Sequence, residues 1–245
     1  MGNWGIGALG VSIFAWGSYV WVNKIPSLRK TMWPLWALFA LSMLIAAVAL
    51  ALKKTTPGID ESFAISTFGS FALFVFFYFT MMRTPRVSGR PQAGAKLPHF
   101  ELTSETGATI SPDDFIGKGP VLVLFFRGFW CISCCEELRS LGEVQKVLKA
   151  KGGDILAISA DPISRLQQGR KDIPDVPCIL IGDEKGVAIQ LLQLQHTSFS
   201  KVGRMMSIPA NILIDKEGKI VWTHYASVAM DRPDPKDVLQ RVQAV

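Results

Sequence analysis

Three of the chain's four cysteines, Cys131, Cys134 and Cys135, fall within five positions. Thiolates so clustered can exchange disulfides or bind a soft metal, because the thiolate is both the nucleophile and the ligand. The stretch reads Arg127-Gly128-Phe129-Trp130-Cys131-Ile132-Ser133-Cys134-Cys135, between the apolar run Val121 to Phe126 and Glu136-Glu137-Leu138. An apolar strand, a tight turn and a helix opening on Cys-x-x-Cys predict a dithiol redox site. A cysteine at a helix start faces unpaired N–H groups and the positive end of the helix dipole, and both favour thiolate. Cys131, at the turn, is the expected attacking thiol. Cys134, one helical turn later, lies on the same face and can attack a mixed disulfide. Trp130 is expected to shield the pair, and Arg127 either to stabilise a thiolate or to cap the strand. Cys178, after Pro177, reads as core, with a resolving role as its alternative. His99, His196 and His224 are isolated and read as structural or solvated. Met205-Met206 is expected to pack at the rim of the site.

The elements that position these residues follow from periodicity. His99 to Leu102 and Thr109-Ile110 flank a hairpin-like turn at Glu105-Thr106-Gly107, and Val121 to Phe126 is a strand apolar on both faces. Leu138, Leu141, Val144, Val147 and Leu148 recur at helical spacing from Cys134 to Lys151, where Gly152-Gly153 ends the helix. Strands follow at Ile155 to Ser159, Pro177 to Ile181, Ala210 to Ile214 and Lys219 to His224. Helices are expected from Asp161-Pro162 to about Lys171, near Lys185 to Gln193, and from Pro235 to Val242. Asp161 is the expected cap of the first of these. The alternation indicates an α/β layer structure around a central sheet over residues 99–245. Pro209 leads into a strand as either an ordinary trans residue or a cis proline, and spacing alone does not choose.

The N-terminal third has a different composition. Residues 1–98 hold nine Lys/Arg and two Asp/Glu, a net +7, whereas residues 99–245 hold seventeen and eighteen, a net −1. The total of +6 therefore belongs to the N-terminal part, and the near-neutral remainder offers no surface for nucleic acid. Three uncharged runs of 19 to 21 residues, 4–22, 32–52 and 63–82, carry Trp4, Trp21, Trp33, Trp36 and Tyr78 near their ends. About 20 helical residues cross a hydrocarbon core, so these runs predict three transmembrane helices, a membrane anchor over residues 1–82. A cleaved leader and N-myristoylation both fit poorly: no basic stretch precedes Trp4, and Ile6 stands where Ser or Thr is needed. Residues 83–98 read as a basic, extended linker against lipid head groups. Seven basic residues, Lys24, Arg29, Lys30, Arg83, Arg86, Arg90 and Lys96, fall on one side of the bilayer, and Lys53 and Lys54 on the other. That bias puts the redox domain in the cytoplasm of a bacterial-type inner membrane, with the periplasm as the alternative.

Residues 97–245 resemble the thioredoxin-like superfamily, specifically peroxiredoxin-like proteins of the alkyl hydroperoxide reductase/thiol-specific antioxidant type. The matching pieces are Gly107, Val121 to Phe126, Arg127-Gly128-x-Trp130-Cys131-x-x-Cys134, Ile158-Ser159-Ala160-Asp161, Pro209 with Ile214-Asp215-x-x-Gly218, and Asp231-Arg232-Pro233. The resemblance implies a thioredoxin-like fold with a central mixed sheet, Cys131 and Cys134 as redox couple, and Pro209 as a cis proline facing them. It implies no organic cofactor. The substrate would be a protein or small-molecule disulfide or peroxide, and the reductant an external thiol. Three departures qualify it. Ile132 and Ser133 replace the usual residues inside the motif, Cys135 is an extra thiol, and the peroxidase signature Pro-x-x-x-Thr-x-x-Cys lacks its proline and threonine at Arg127 and Cys131. The peroxide-orienting arginine would fall on Pro209. These departures favour thiol–disulfide exchange over a thiol peroxidase using Cys134 or Cys131. Cys131-x-x-x-Cys135 also resembles membrane-anchored copper-delivery proteins, although the histidine they need before the late strand is missing between Gly203 and Pro209.

Overall fold

A computed structural model describes residues 83–245 except 86 and 197–204, together with eight upstream positions, Ala37, Ala40, Leu44, Gly69, Phe71, Ala72, Val75 and Phe76, all helical. The expected spans 4–22, 32–52 and 63–82 otherwise lie outside the described residues. Among the described residues no helix is long and apolar enough to cross a membrane. The chain divides into two units, Met1–Arg83 and Thr84–Val245.

The second unit is built on strand β3 (Val121–Phe125), whose five residues are all buried. Successive side chains of a strand point to opposite faces. Leu122 and Leu124 therefore join one core with Phe126, Leu138, Val144, Leu148, Leu166, Val238 and Val242. Val121, Val123 and Phe125 join the other with Phe100, Leu156, Ile189 and Ile212. Removing either Leu122 or Leu124 to Ala would cost about 2–5 kcal/mol, because neither side of the sheet has solvent to collapse into.

Around β3 the strands are β1 (Leu102–Ser104), β2 (Thr109–Ile110), β4 (Asp154–Ser159), β5 (Ile179–Gly182), β6 (Ala210–Ile214) and β7 (Ile220–Tyr225), in the order β2-β1-β5-β4-β3-β6-β7. β3, β4 and β5 run parallel, β6 pairs antiparallel with β3, and β7 with β6. The sheet is mixed, as expected. The helices are α1 (Ile132–Ser140), α2 (Gly142–Ala150), α3 (Ile163–Asp172), α4 (Val187–Leu191) and α5 (Pro235–Gln243). The single helix expected from Cys134 to Lys151 is thus two, broken at Leu141, where the buried side chain stays in the core while the backbone leaves the α-helical region at φ −87°, ψ 8°. Gly153 closes the second by close approach, since a Cβ there would overlap Pro120 O.

Two local expectations are corrected. The N-cap of α3 is Pro162, without a side-chain capping bond, and Glu184 Oε1 accepts from Ile163 N at 3.3 Å in place of Asp161. The described residues of 84–98 carry turns at 88–89 and 93–94 and do not form a free, extended basic linker. Gly94 N donates to Ile220 O at 2.8 Å and Leu97 N to Gly218 O at 3.2 Å, so the segment runs beside the otherwise open edge of β7. Arg90 is 9% exposed. Its guanidinium lies over the Tyr225 ring at 5.3 Å, a better partner within the domain than a head group outside it.

Candidate active site

Phe126 continues β3, donating to Ile158 O at 3.0 Å, and the chain then turns through Arg127 to Trp130 into α1. The turn requires Gly128. Its φ is 137°, and a Cβ would lie 2.5 Å from Asp161 Oδ2 and 2.7 Å from Trp130 Nε1. Cys131 is the N-cap of α1, and its carbonyl accepts from Cys134 N at 3.0 Å and Cys135 N at 3.1 Å. The Cys131–Cys134 pair therefore sits at the helix start, on the face toward the end of the sheet.

Cys131 is 7% exposed and Cys134 fully buried, and all four cysteines are free thiols. The Cys131 thiol is lowered to about 6, first by the hydrogen bond from the Cys134 side chain, then by Arg232, Arg127 and the Cys134 backbone N–H, against the cost of burial. Cys134 is pushed well above the ordinary thiol range by burial and by its bond to Cys131. The two sulfurs thus differ: Cys131 is shifted toward thiolate near neutral pH, and the fully enclosed Cys134 toward the protonated form.

Arg232 is the residue that sequence reasoning missed. It is 1% exposed, with Nη2 3.0 Å from Cys134 Sγ and 4.0 Å from Cys131 Sγ. Its Nε meets Glu137 Oε2 at 2.6 Å, and Nη1 donates to Asp231 O at 2.7 Å and Ala229 O at 3.1 Å. Asn211 on β6 donates to the other Glu137 oxygen at 2.9 Å. The close Nε–Oε2 contact is an ion pair without a well-aligned hydrogen bond, so charge attraction and the bonds from Nη1 and from Asn211 have to offset its desolvation. Burial raises the Glu137 carboxyl even so, opposed by Arg232 and Asn211, while the surrounding anions raise the guanidinium despite its burial. Behind Arg232, His224 Nε2 lies 3.2 Å from Asp231 Oδ1. The signal available was Asp231-Arg232-Pro233 itself, present in the resemblance but carrying no role, because the loop brings it across 98 positions of sequence to Cys134.

The other expected site residues fall as follows. Trp130 and Ile132, the residues on either side of Cys131 in the chain, are each about half exposed and bring apolar surface to the buried thiol's surroundings. Arg127 is buried, stacks over the Trp130 ring at 4.8 Å and donates through Nε to Met206 Sδ at 3.1 Å. Of its two expected roles, thiolate stabilisation has electrostatic support, since its charge helps to lower Cys131. Pro209 is not cis: among the described residues no peptide bond is cis. The backbone instead runs extended into β6, with Ile208 N donating to Leu194 O at 2.6 Å and Pro209 O accepting from Ala226 N at 3.0 Å. Both pairings hold the chain straight through the proline. Cys135 turns back, its Sγ donating to Phe129 O at 3.2 Å, and burial pushes it up to about 11. Among the described residues no three His, Cys, Asp or Glu side chains converge as a metal site. A protonated Cys135 occupied by a carbonyl does not suit copper delivery through Cys131 and Cys135, and His196 is buried with its backbone N–H on Met206 O at 2.9 Å.

A mixed seven-stranded sheet carrying a dithiol at a helix start after an interior strand defines a thioredoxin-like redox domain. A model of the AhpC/TSA family matches residues 93–223, more than half of the chain, and the chain belongs to that family. It is 31% identical over 130 residues to a thiol-disulfide oxidoreductase ResA of Bacillus cereus, covering 53% of this chain and 68% of that protein. A ResA of Bacillus thuringiensis subsp. konkukian is 29% identical over the same length and shares. Among solved structures, the peroxidoxin BcpB of Mycobacterium tuberculosis superposes with a TM-score of 0.54 at 19% identity, over 63% of this chain and 97% of that one, which is a likeness of fold. The chain is accordingly an oxidoreductase of the thiol–disulfide and peroxidase-like class.

Proposed function

We propose that the protein is a membrane-anchored thiol–disulfide oxidoreductase in which Cys131 attacks and Cys134 resolves. The observation that carries this reading is the asymmetry of the pair: Cys131 is lowered to about 6 while the neighbouring Cys134 is raised. The Cys131 thiolate attacks a substrate disulfide, forming a Cys131–substrate bond and releasing one substrate thiolate. Forming that bond removes the Cys131 charge. Burial still raises Cys134, but the bond and charge of Cys131 that raised it further are gone, while Arg232 Nη2 stays 3.0 Å away. Cys134 therefore becomes easier to ionise at the step that needs it. Its thiolate then attacks Cys131, leaving an intramolecular disulfide and the second substrate thiol. Two electrons pass from the dithiol to the substrate, and an external thiol returns them.

The pair is tested in the full-length protein with insulin as disulfide substrate. Cys131→Ser is expected to lose turnover by on the order of 10³-fold or more, as for a nucleophile, and Cys134→Ser to trap a mixed disulfide. Full activity in Cys131→Ser together with loss in Cys134→Ser would mean that the roles are reversed.

A second reading, thiol peroxidase, is favoured by one observation: Arg232 supplies at the sulfurs the guanidinium that was expected to be missing. Full burial and a raised pKa count against Cys134 as the peroxidatic thiol and leave Cys131. Peroxide consumption exceeding insulin reduction by the same protein would select that reading. For the anchor and the cytoplasmic placement of the domain, the support is the three uncharged runs and the basic bias between them. A reporter fused after Val245 that is active only outside the cytoplasm would reverse the topology.

A further inference from the structure

The loop that delivers Arg232 is held from outside by a residue far upstream. Thr84 is 4% exposed. Its hydroxyl donates to Ala226 O at 2.5 Å, and its N–H to Ser227 O at 3.4 Å. Ser227 donates from N and Oγ to Asp231 Oδ2 at 2.9 and 3.0 Å. The next residue is Arg232, whose Nη1 is clamped by the carbonyls of Ala229 and Asp231. A guanidinium is planar, so fixing Nη1 and Nε decides where Nη2 points. Here it points at Cys134.

The start of this loop is fastened a second time. Tyr225, the last residue of β7, donates its hydroxyl to Pro91 O at 2.5 Å and lies under the Arg90 guanidinium. Arg90 in turn donates to Pro85 O and Gln193 O, both at 3.1 Å. Thr84, Arg90 and Pro91 therefore grip the chain on both sides of the junction between β7 and the loop.

We infer that Thr84 is a positioning residue for the dithiol, holding the 226–232 loop where it aims Arg232 at Cys134 and Cys131. The inference rests on the reading of Cys131 and Cys134 as the exchanging pair. Thr84 is also the first residue of its unit, directly after Arg83.

The test uses the full chain and the rate of Cys131 alkylation by iodoacetamide as a function of pH, read on the Cys131 peptide by mass spectrometry. The charged and titratable groups facing Cys131 are Cys134 from α1, Arg127 from the turn before it and Arg232 from the loop, with Glu137 behind Arg232. Thr84→Val removes the hydroxyl at constant shape and touches none of them. It is expected to move the profile to higher pH and to lower the rate at pH 6 about threefold, the effect of weakening one nearby charge. Thr84→Ser keeps the hydroxyl and is expected to restore the parent profile. Arg232→Gln combined with Glu137→Gln removes the ion pair whole and is expected to shift the profile at least as far. A Thr84→Val protein that melts earlier but keeps the parent profile, while the double variant shifts it, would show Thr84 to be structural only and leave the reading of the pair intact. So would a Thr84→Ser protein that behaves like Thr84→Val. A double variant with the parent profile would instead sink Arg232 as the tuning charge. Should Thr84→Val not fold, Ser227→Ala, which removes one of the two bonds of the next link, is read in the same way.

Discussion

Cys131 and Cys178 are equally buried, each 7% exposed with an arginine close by, yet their thiols move in opposite directions, to about 6 and about 12. The arginine alone does not explain the difference. Near Cys178, Arg170 gives Nε to both Glu105 oxygens at 3.1 Å and Nη2 to Glu105 Oε1 at 2.6 Å. It also donates to the carbonyls of Val176 and Cys178. None of these bonds reaches sulfur. Burial then dominates, and the charges of Glu105 and Asp154 add to it. Near Cys131, Arg232 is also paired with a carboxylate, but Nη2 is left directed at the sulfurs, and Cys134 adds a hydrogen bond to the Cys131 sulfur. At Cys178 the neighbouring arginine opposes burial through its charge alone. A buried thiol becomes a nucleophile when donors are aimed at it, and otherwise burial keeps it protonated.

The sharpest break of this comparison is kinetic. Against the loss of on the order of 10³-fold expected for Cys131→Ser, Cys178→Ser should change insulin reduction by less than about twofold, the size of a small surface-like effect. Equal losses would end the distinction between the two regions.

Next in size is the pH dependence of stability in the reduced protein. Between about 6 and the ordinary thiol value of 9.0, folded Cys131 has lost its proton and unfolded Cys131 has not. The unfolded state then binds more protons, so stability rises with pH across that window, by on the order of 2–4 kcal/mol. Above 9.0 the sign reverses. Unfolded Cys135 and Cys178 ionise there, while the folded thiols hold their protons up to about 11 and about 12. Urea denaturation under reducing conditions should therefore give a midpoint that climbs from pH 6 to 9 and falls beyond it. A midpoint flat from pH 6 to 9 would remove the ionised Cys131.

Smaller still is the effect of the two arginines on thiol reactivity. Arg232→Gln with Glu137→Gln should slow Cys131 alkylation at pH 6 about fivefold, the loss of thiolate from a half-ionised thiol when its pKa rises by about one unit. Arg170→Gln with Glu105→Gln should leave it within a factor of about two, because that pair faces Cys178 alone. An equal response to both would mean that general charge, and not the direction of Nη2, sets the reactivity.

Much of this was legible from residue order. The apolar run Val121 to Phe126, the turn at Gly128 and the Cys-x-x-Cys at a helix start are local features, and each appears where its chemistry demands. Strand boundaries for β6 at Ala210 to Ile214 agreed residue for residue, since a run apolar but for Asn211 is bounded by Pro209 and Asp215. The break at Leu141 was not legible, because its apolar spacing is the same for one helix or two. Residues 84–98 misled through composition: prolines, glycines and basic side chains read as a linker, and only an open strand edge at β7 makes them part of the domain.

By itself the sequence determined that one thiol would sit at a helix start and a second one turn later, because both depend on contacts a few residues apart. It also set the contrast between an N-terminal third of uncharged apolar runs with basic flanks and a near-neutral redox domain. Only the tertiary structure decided which charge answers the thiols. Arg232 reaches Cys134 over 98 positions, through a loop gripped by Thr84 and beside a carboxylate on α1. Such a pairing leaves no period or spacing in the chain. It exists because the end of β7 and the start of α1 meet at the same end of the sheet.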